Sequence, residues 1–129
     1  MIVDTSFLLD VIDQKEAAVT KTRTLESEGV PLALPTMTVL ELYIGVGKSK
    51  DMREERRVVE AVFDSHPIVE TTPSISRRAG RLLGERMSET PSDDGPGIGK
   101  GDAVIAATAL ERDEPVLTAD SQFRHIPDL

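Results

Sequence analysis

Cysteine is absent from this 129-residue chain, tryptophan is absent too, and one tyrosine and three phenylalanines are its whole aromatic content. Without thiols there can be no disulfide, no thiolate metal site and no cysteine nucleophile. A metal would have to be held by carboxylates, hydroxyls, carbonyls or the two histidines, and carboxylate oxygen suits Mg²⁺ or Mn²⁺. With so few rings the core must be aliphatic. Long apolar runs are also missing, and none approaches the roughly 20 residues of a membrane-spanning helix. The opening Met1-Ile2-Val3-Asp4 carries no basic stretch and no signal-like apolar run, so a cytoplasmic protein with no membrane partner is expected.

Positive charge is scarce, with 15 Lys and Arg against 23 Asp and Glu, for a net charge of −8. That balance argues against a broad phosphate-binding surface. The charge is uneven, however: residues 48–86 hold nine Lys or Arg against seven Asp or Glu. A weakly basic middle can therefore lie beside an acidic pole.

What is present is a 39% apolar composition, enough for one compact domain spanning residues 1–129, with no internal repeat or linker. Ile2-Val3 reads as a short strand, and Thr5 or Ser6 can cap a helix running to about Asp10. Residues 15–28 read as a second helix ending at Gly29. Val30 to Leu34 is a strand between prolines, and Thr36 is the expected N-cap of a helix to about Val46. A charged amphipathic helix covers 51–64, with Met52, Val58, Val59, Ala61, Val62 and Phe63 as its apolar content. A strand at Pro67-Ile68-Val69 precedes a helix from Thr72-Pro73 to about Ser88, with Ile75, Ala79, Leu82, Leu83 and Met87 inward. Thr90 to Gly101, rich in glycine and proline, reads as a loop. A helix from Asp102 to Arg112, a strand from Pro115 to Thr118, a turn at 121–124 and a short strand at Ile126 complete the chain. Short apolar strands alternating with helices predict a parallel sheet covered on both faces, with a site at the carboxyl ends of its strands.

Four carboxylates belong at that edge. Asp4 follows the first strand, Asp120 follows the strand in Leu117-Thr118-Ala119-Asp120, Asp102 opens a helix, and Glu41 lies in the second turn of another. Each has a plainer explanation. Asp4 can cap the first helix, Asp120 can cap the turn at Ser121, and Asp102 suits the positive end of its helix. Glu41 is too far into its helix to cap it and sits near Met37 and Ile44, which makes it the least ordinary of the four. Apposed carboxylates at neutral pH take up either protons or a cation. The helix after Asp102 has small sides at Ala103, Ala106, Ala107 and Ala109, which allows close packing on the sheet. No Ser-His-Asp arrangement is recognisable, and His66 and His125 read as surface residues.

The segments Met-Ile-Val-Asp4-Thr-Ser-Phe-Leu-Leu, Thr-Val-Leu-Glu41-Leu, Gly-Asp102-Ala-Val-Ile-Ala-Ala-Thr-Ala-Leu and Val-Leu-Thr-Ala-Asp120-Ser-Gln-Phe resemble, in order, the motifs of PIN domains of the kind found in VapC toxins. The resemblance runs nearly end to end. It implies a three-layer α/β/α sandwich with a short-stranded parallel sheet and a divalent-metal-dependent endoribonuclease, the toxin of a type II toxin–antitoxin system. Asp4, Glu41 and Asp102 match the family's metal ligands and Asp120 its fourth acidic position, the ion being Mg²⁺ or Mn²⁺. Ser6 and Thr118 match hydroxyls that orient the site, although capping or turn bonding explains them equally well. Ala119 departs from the Arg or Lys that many relatives carry there. The implied partners are RNA, an antitoxin protein and a second copy of the chain. Arg77, Arg78 and Arg81 on one helix, or Lys48, Lys50, Arg53, Arg56 and Arg57 around another, are candidates to grip RNA; a solvated face balanced by Glu54, Glu55 and Glu60 is the commoner fate of such stripes. Two other classes stand beside this reading: a non-catalytic PIN-like interaction module, and a phosphatase or receiver-like domain. Haloacid-type phosphatases want an aspartate where Ser6 stands.

Overall fold

The computed structural model describes residues 1–89, 98–120 and 123. In chain order its elements are β1 (Ile2–Val3), α1 (Thr5–Ile12), α2 (Glu16–Ser27), β2 (Leu34–Pro35), α3 (Thr36–Lys48), α4 (Met52–Asp64), β3 (Ile68–Val69), α5 (Pro73–Glu89), α6 (Lys100–Arg112) and β4 (Val116–Leu117). β1 runs parallel to β4, with Ile2 opposite Val116, and β2 runs parallel to β3, with Leu34 opposite Ile68. A parallel bridge between Ile2 and Ala33 joins the two pairs, so the strands lie in the order β4-β1-β2-β3.

Alternation along these short strands sorts side chains to two faces. Ile2 and Ala33 face Ile75, Ala79 and the alanines of α6, forming one core. Val3, Leu34 and Leu117 face Phe7, Leu8, Leu42, Val46 and Val59 on α1, α3 and α4, forming a second. A core on each face of a parallel sheet makes this a three-layer α/β/α sandwich. α6 is enclosed nearly all round, with Ala103, Ile105, Ala106, Ala107 and Ala109 at 0% exposure, which its small side chains permit. The one polar group in that stretch, the Thr108 hydroxyl, donates back to Val104 O at 2.7 Å. Gly29, at φ +74°, turns the chain out of α2 in a conformation that favours glycine.

Several boundaries differ from expectation. Of the caps the sequence offers for α1, Asp4 is the one used, and Thr5 and Ser6 lie inside the helix. Pro35 holds the N-cap position of α3, and Thr36 is its first helical residue, its hydroxyl donating across to Val69 O at 3.1 Å. α6 begins two residues before Asp102. Met52 and Met87, counted among the apolar content of their helices, are 56% and 52% exposed, because among the described residues nothing packs over those turns. Residues 90–97, most of the expected loop, lie outside the described residues, as do the expected turn at 121–124 apart from buried Phe123, and the strand at Ile126.

Candidate active site

The two strands β1 and β4 end side by side, and this brings the first acid into the site. Asp4 N donates to Leu117 O at 2.9 Å, so the residue leaving β1 is tied to the end of β4. The Asp4 carboxylate is buried, at 2% exposure. Its Oδ1 accepts the Thr5 amide at 2.8 Å, and its Oδ2 accepts the Ser6 hydroxyl at 2.6 Å and the Thr118 hydroxyl at 2.7 Å. Those hydroxyls are themselves aimed: Ser6 Oγ accepts from Ala119 N at 3.2 Å and Thr118 Oγ1 from Asp120 N at 2.9 Å. Backbone amides thus occupy hydroxyl lone pairs and leave the hydroxyl hydrogens for Asp4. Ser6 and Thr118, predicted as orienting hydroxyls, both lie on this carboxylate.

Glu41 reaches the same region from the second turn of α3. Its Oε1 accepts the Thr5 hydroxyl at 2.8 Å. Its carboxyl group is pushed above the ordinary glutamate range, first by burial and then by the charges of Asp4 and Asp102, against the opposing Thr5 bond. Asp102 is the third residue of α6 and accepts a backbone hydrogen bond from Gly99, the N-cap, which is half of a capping box. Asp102 too is raised, by burial first, then by Asp4, with Asp120 adding to it. The plainer explanations for Asp4 and Asp102 as caps are therefore real. The same carboxylates also meet: β1, α3 and α6 bring three of them close enough to disfavour one another's charge, with Asp120 beside them at the end of β4.

Thr5 and Gly101 were not singled out by sequence reasoning. Thr5 bridges Asp4 and Glu41, and a Cβ built on Gly101 would lie 3.2 Å from Glu41 Oε2. The sequence places Gly101 at the end of a loop, and a glycine directly before a site acid is the one signal available.

The basic stripes lie elsewhere. Arg78 pairs with Glu111 at 3.1 Å, and Arg77, Arg78, Arg81, Ser74 and Glu111 line a shallow groove. Glu111 is at the far end of α6 from Asp102, roughly 13 Å along the helix axis. Arg57 is paired with Glu54 at 2.6 Å. His66 sits at the end of α4 with Nδ1 on Val62 O, away from the acids.

The donor set fits a hard divalent cation: oxygen donors only, a surplus of negative charge, and two carboxylates whose ionisation is resisted first by burial and then by neighbouring charges. Among the described residues no three acidic or histidine side chains already form a coordination shell, so a cation would draw these carboxylates inward. Among the described residues, no helix is long and apolar enough to cross a membrane.

Parallel β4-β1-β2-β3 strands, helices on both faces and acids at the carboxyl edge are joined by a match of the PIN domain family model to residues 1–129, and the chain belongs to that family. Similar solved structures include VapBC2 from Rickettsia felis bound to a DNA fragment from their promoter, at 19% identity and TM-score 0.83, covering 99% of this chain and 93% of that one. DNA-bound VapBC from Salmonella typhimurium is 21% identical, with TM-score 0.82 and coverage of 99% and 92%. VapBC-5 from Mycobacterium tuberculosis, of the VapBC family of toxin–antitoxin systems, is 26% identical, with TM-score 0.65 and coverage of 98% and 90%. Among curated proteins no relative was found.

Proposed function

We propose that the chain is a VapC-type endoribonuclease that hydrolyses RNA phosphodiester bonds with Mg²⁺ or Mn²⁺, and that it serves as the toxin of a type II toxin–antitoxin pair in the cytoplasm. The observation that carries this reading is the convergence of Asp4, Glu41 and Asp102 from three different elements: Thr5 bridges Asp4 and Glu41, Glu41 lies against Gly101 beside Asp102, and burial and then neighbouring charge resist ionisation of Glu41 and Asp102.

In this reading Asp4, Glu41 and Asp102 hold the ion, and Asp120 helps to recruit a second. Bound there, Mg²⁺ or Mn²⁺ supplies Lewis acidity, lowers the pKa of water and neutralises charge at the phosphoryl group. The protein does the rest. Ser6 and Thr118 fix the plane of the Asp4 carboxylate, so that its oxygens are presented rather than free to rotate. Gly99 holds Asp102 at the first turn of α6, where the helix's positive end partly offsets its charge. RNA reaches the strand ends as a single strand, and Arg77, Arg78 and Arg81 are candidates for a distal grip on its backbone.

The structural neighbours' VapBC pairing supports a VapB-like antitoxin as partner; a second copy of this chain as companion is proposed on the family resemblance alone. Products should carry 5′-phosphate and 3′-hydroxyl ends. The test is induction of the chain, and separately of Asp102→Asn, with end-mapping of total cellular RNA in each case. Defined new 5′-phosphate ends with the parent alone support the proposal. No new ends, together with no Mn²⁺ binding by the purified protein, would favour a non-catalytic PIN-like interaction module, for which the lack of a ready coordination shell among the described residues speaks.

A further inference from the structure

We infer that Thr5 and Gly101 act as two jaws that set the position of the Glu41 carboxylate, and that both are positioning residues for cation capture; this rests on the metal-dependent reading above. The first jaw is the Thr5 hydroxyl, 2.8 Å from Glu41 Oε1. Thr5 is buried, and its own amide is held by Asp4 Oδ1 at 2.8 Å. The neighbouring Thr38, at 0% exposure, donates its hydroxyl to Val3 O at 3.2 Å and offers the Thr5 hydroxyl a second acceptor at 3.4 Å, longer than the 2.8 Å bond to Glu41.

The second jaw is the bare Cα of Gly101 in the first turn of α6. A Cβ there would stand 3.2 Å from Glu41 Oε2, 3.3 Å from Cδ and 3.4 Å from Oε1, so the whole carboxylate lies against that one backbone atom. At the other helical glycines, Gly45, Gly47, Gly80 and Gly84, an added Cβ would meet nothing within 4 Å. Glycine is disfavoured in a helix relative to alanine, so helix formation does not explain Gly101, whereas the carboxylate over it does. A methyl at 101 would require the Glu41 carboxylate to give by a few tenths of an ångström away from α6, which disturbs its bond to Thr5. Small displacements of this kind matter at metal sites, where the partners that orient a ligand typically change affinity 10–100-fold when removed.

The test is calorimetric titration with Mn²⁺ of the parent chain, Thr5→Val, Thr5→Ser, Gly101→Ala and the Thr5→Val/Gly101→Ala double variant, with thermal melts of each in EDTA. Thr5→Val and Gly101→Ala should each bind Mn²⁺ about tenfold more weakly or worse, the effect typical of lost orienting partners. Thr5→Ser, which restores the hydroxyl, should bind as the parent does. Gly101→Ala should melt no lower than the parent, since alanine favours the helix. A merely structural role would instead lower the melting temperature along with the affinity. The double variant should lose less than the two single losses combined, because both act through one carboxylate. If the parent binds Mn²⁺ and the single variants bind it equally well, the inference is overturned while the metal reading stands. If the parent itself binds none, the metal reading fails and takes this inference with it.

Discussion

In metal-free protein, Asp4→Asn and Asp102→Asn should move stability in different directions. The Asp4 carboxylate accepts three hydrogen bonds in a site that is 2% exposed. An asparagine oriented to keep the Thr5 amide bond turns its NH₂ toward the Ser6 and Thr118 hydroxyls. Both hydroxyl oxygens already accept backbone amides, and the two hydroxyls lie 3.2 Å apart, so one can turn to the other in a weaker neutral bond but both lose their bond to a carboxylate. Two charge-assisted bonds at about 1.5 kcal/mol each make a loss of about 3 kcal/mol. Relief of repulsion with Glu41 and Asp102 returns roughly 0.5 kcal/mol apiece once solvent screening at those partly exposed groups is allowed for. The net is about 2 kcal/mol, or about 8 °C in melting temperature for a chain of this length. Asp102 accepts one backbone bond, from Gly99, which an asparagine oxygen can keep, and it also repels Asp4 and Asp120. Asp102→Asn should therefore melt at or slightly above the parent. The assay is circular dichroism melting of all three proteins in EDTA at pH 7. Equal melting of Asp4→Asn and parent, or a comparable loss in Asp102→Asn, would refute the placement of Asp4 as the hydrogen-bonded hub.

The same geometry has consequences for pH, packing and catalysis. Glu41 and Asp102 both have folded-state pKa values above their ordinary ones, so the folded state holds protons that the unfolded state has already released. Their contribution to metal-free stability should then fall as pH rises from the ordinary carboxylate range through the raised values, and saturating Mn²⁺ should flatten that slope. This is checked by melting temperature against pH in EDTA and in Mn²⁺. Ala106→Leu, at a site with 0% exposure on α6, should destabilise the fold by about 1–3 kcal/mol through overpacking, read from urea denaturation. Ser6→Ala removes one hydroxyl from Asp4 and the acceptor of Ala119 N, and should slow RNA cleavage, read as the rate on a single-stranded RNA substrate in Mn²⁺.

Much of this architecture could be read from the sequence because strand ends and helix content are written locally. Ile2-Val3 before Asp4, and Val116-Leu117 before Thr118 and Asp120, announced two parallel strands and the edge at which acids gather, though not that the two strands pair. Glu41 stood out because a carboxylate in the second turn of α3 has no capping role. The features that stayed hidden depend on partners distant in sequence. Thr5 looked like a helix cap, and only the approach of α3 turns its hydroxyl toward Glu41. Gly101 looked like the end of a loop, and its meaning lies in the carboxylate that rests on it. Met52 and Met87 fit apolar patterns, yet no element among the described residues covers their turns. The arginines of α5 fall on one helix face by spacing, but only the packing of α5 on α6 shows that Arg78 meets Glu111 rather than the acid pocket.

Crystals soaked in Mn²⁺ and measured at the manganese absorption edge put the central claim to its most direct trial. A strong anomalous peak bound by oxygens of Asp4, Glu41 and Asp102, and lost in Asp102→Asn, is the predicted result. Manganese found only on exposed carboxylates such as Glu54 or Glu85, with the three pocket acids unmoved and unliganded, would contradict it.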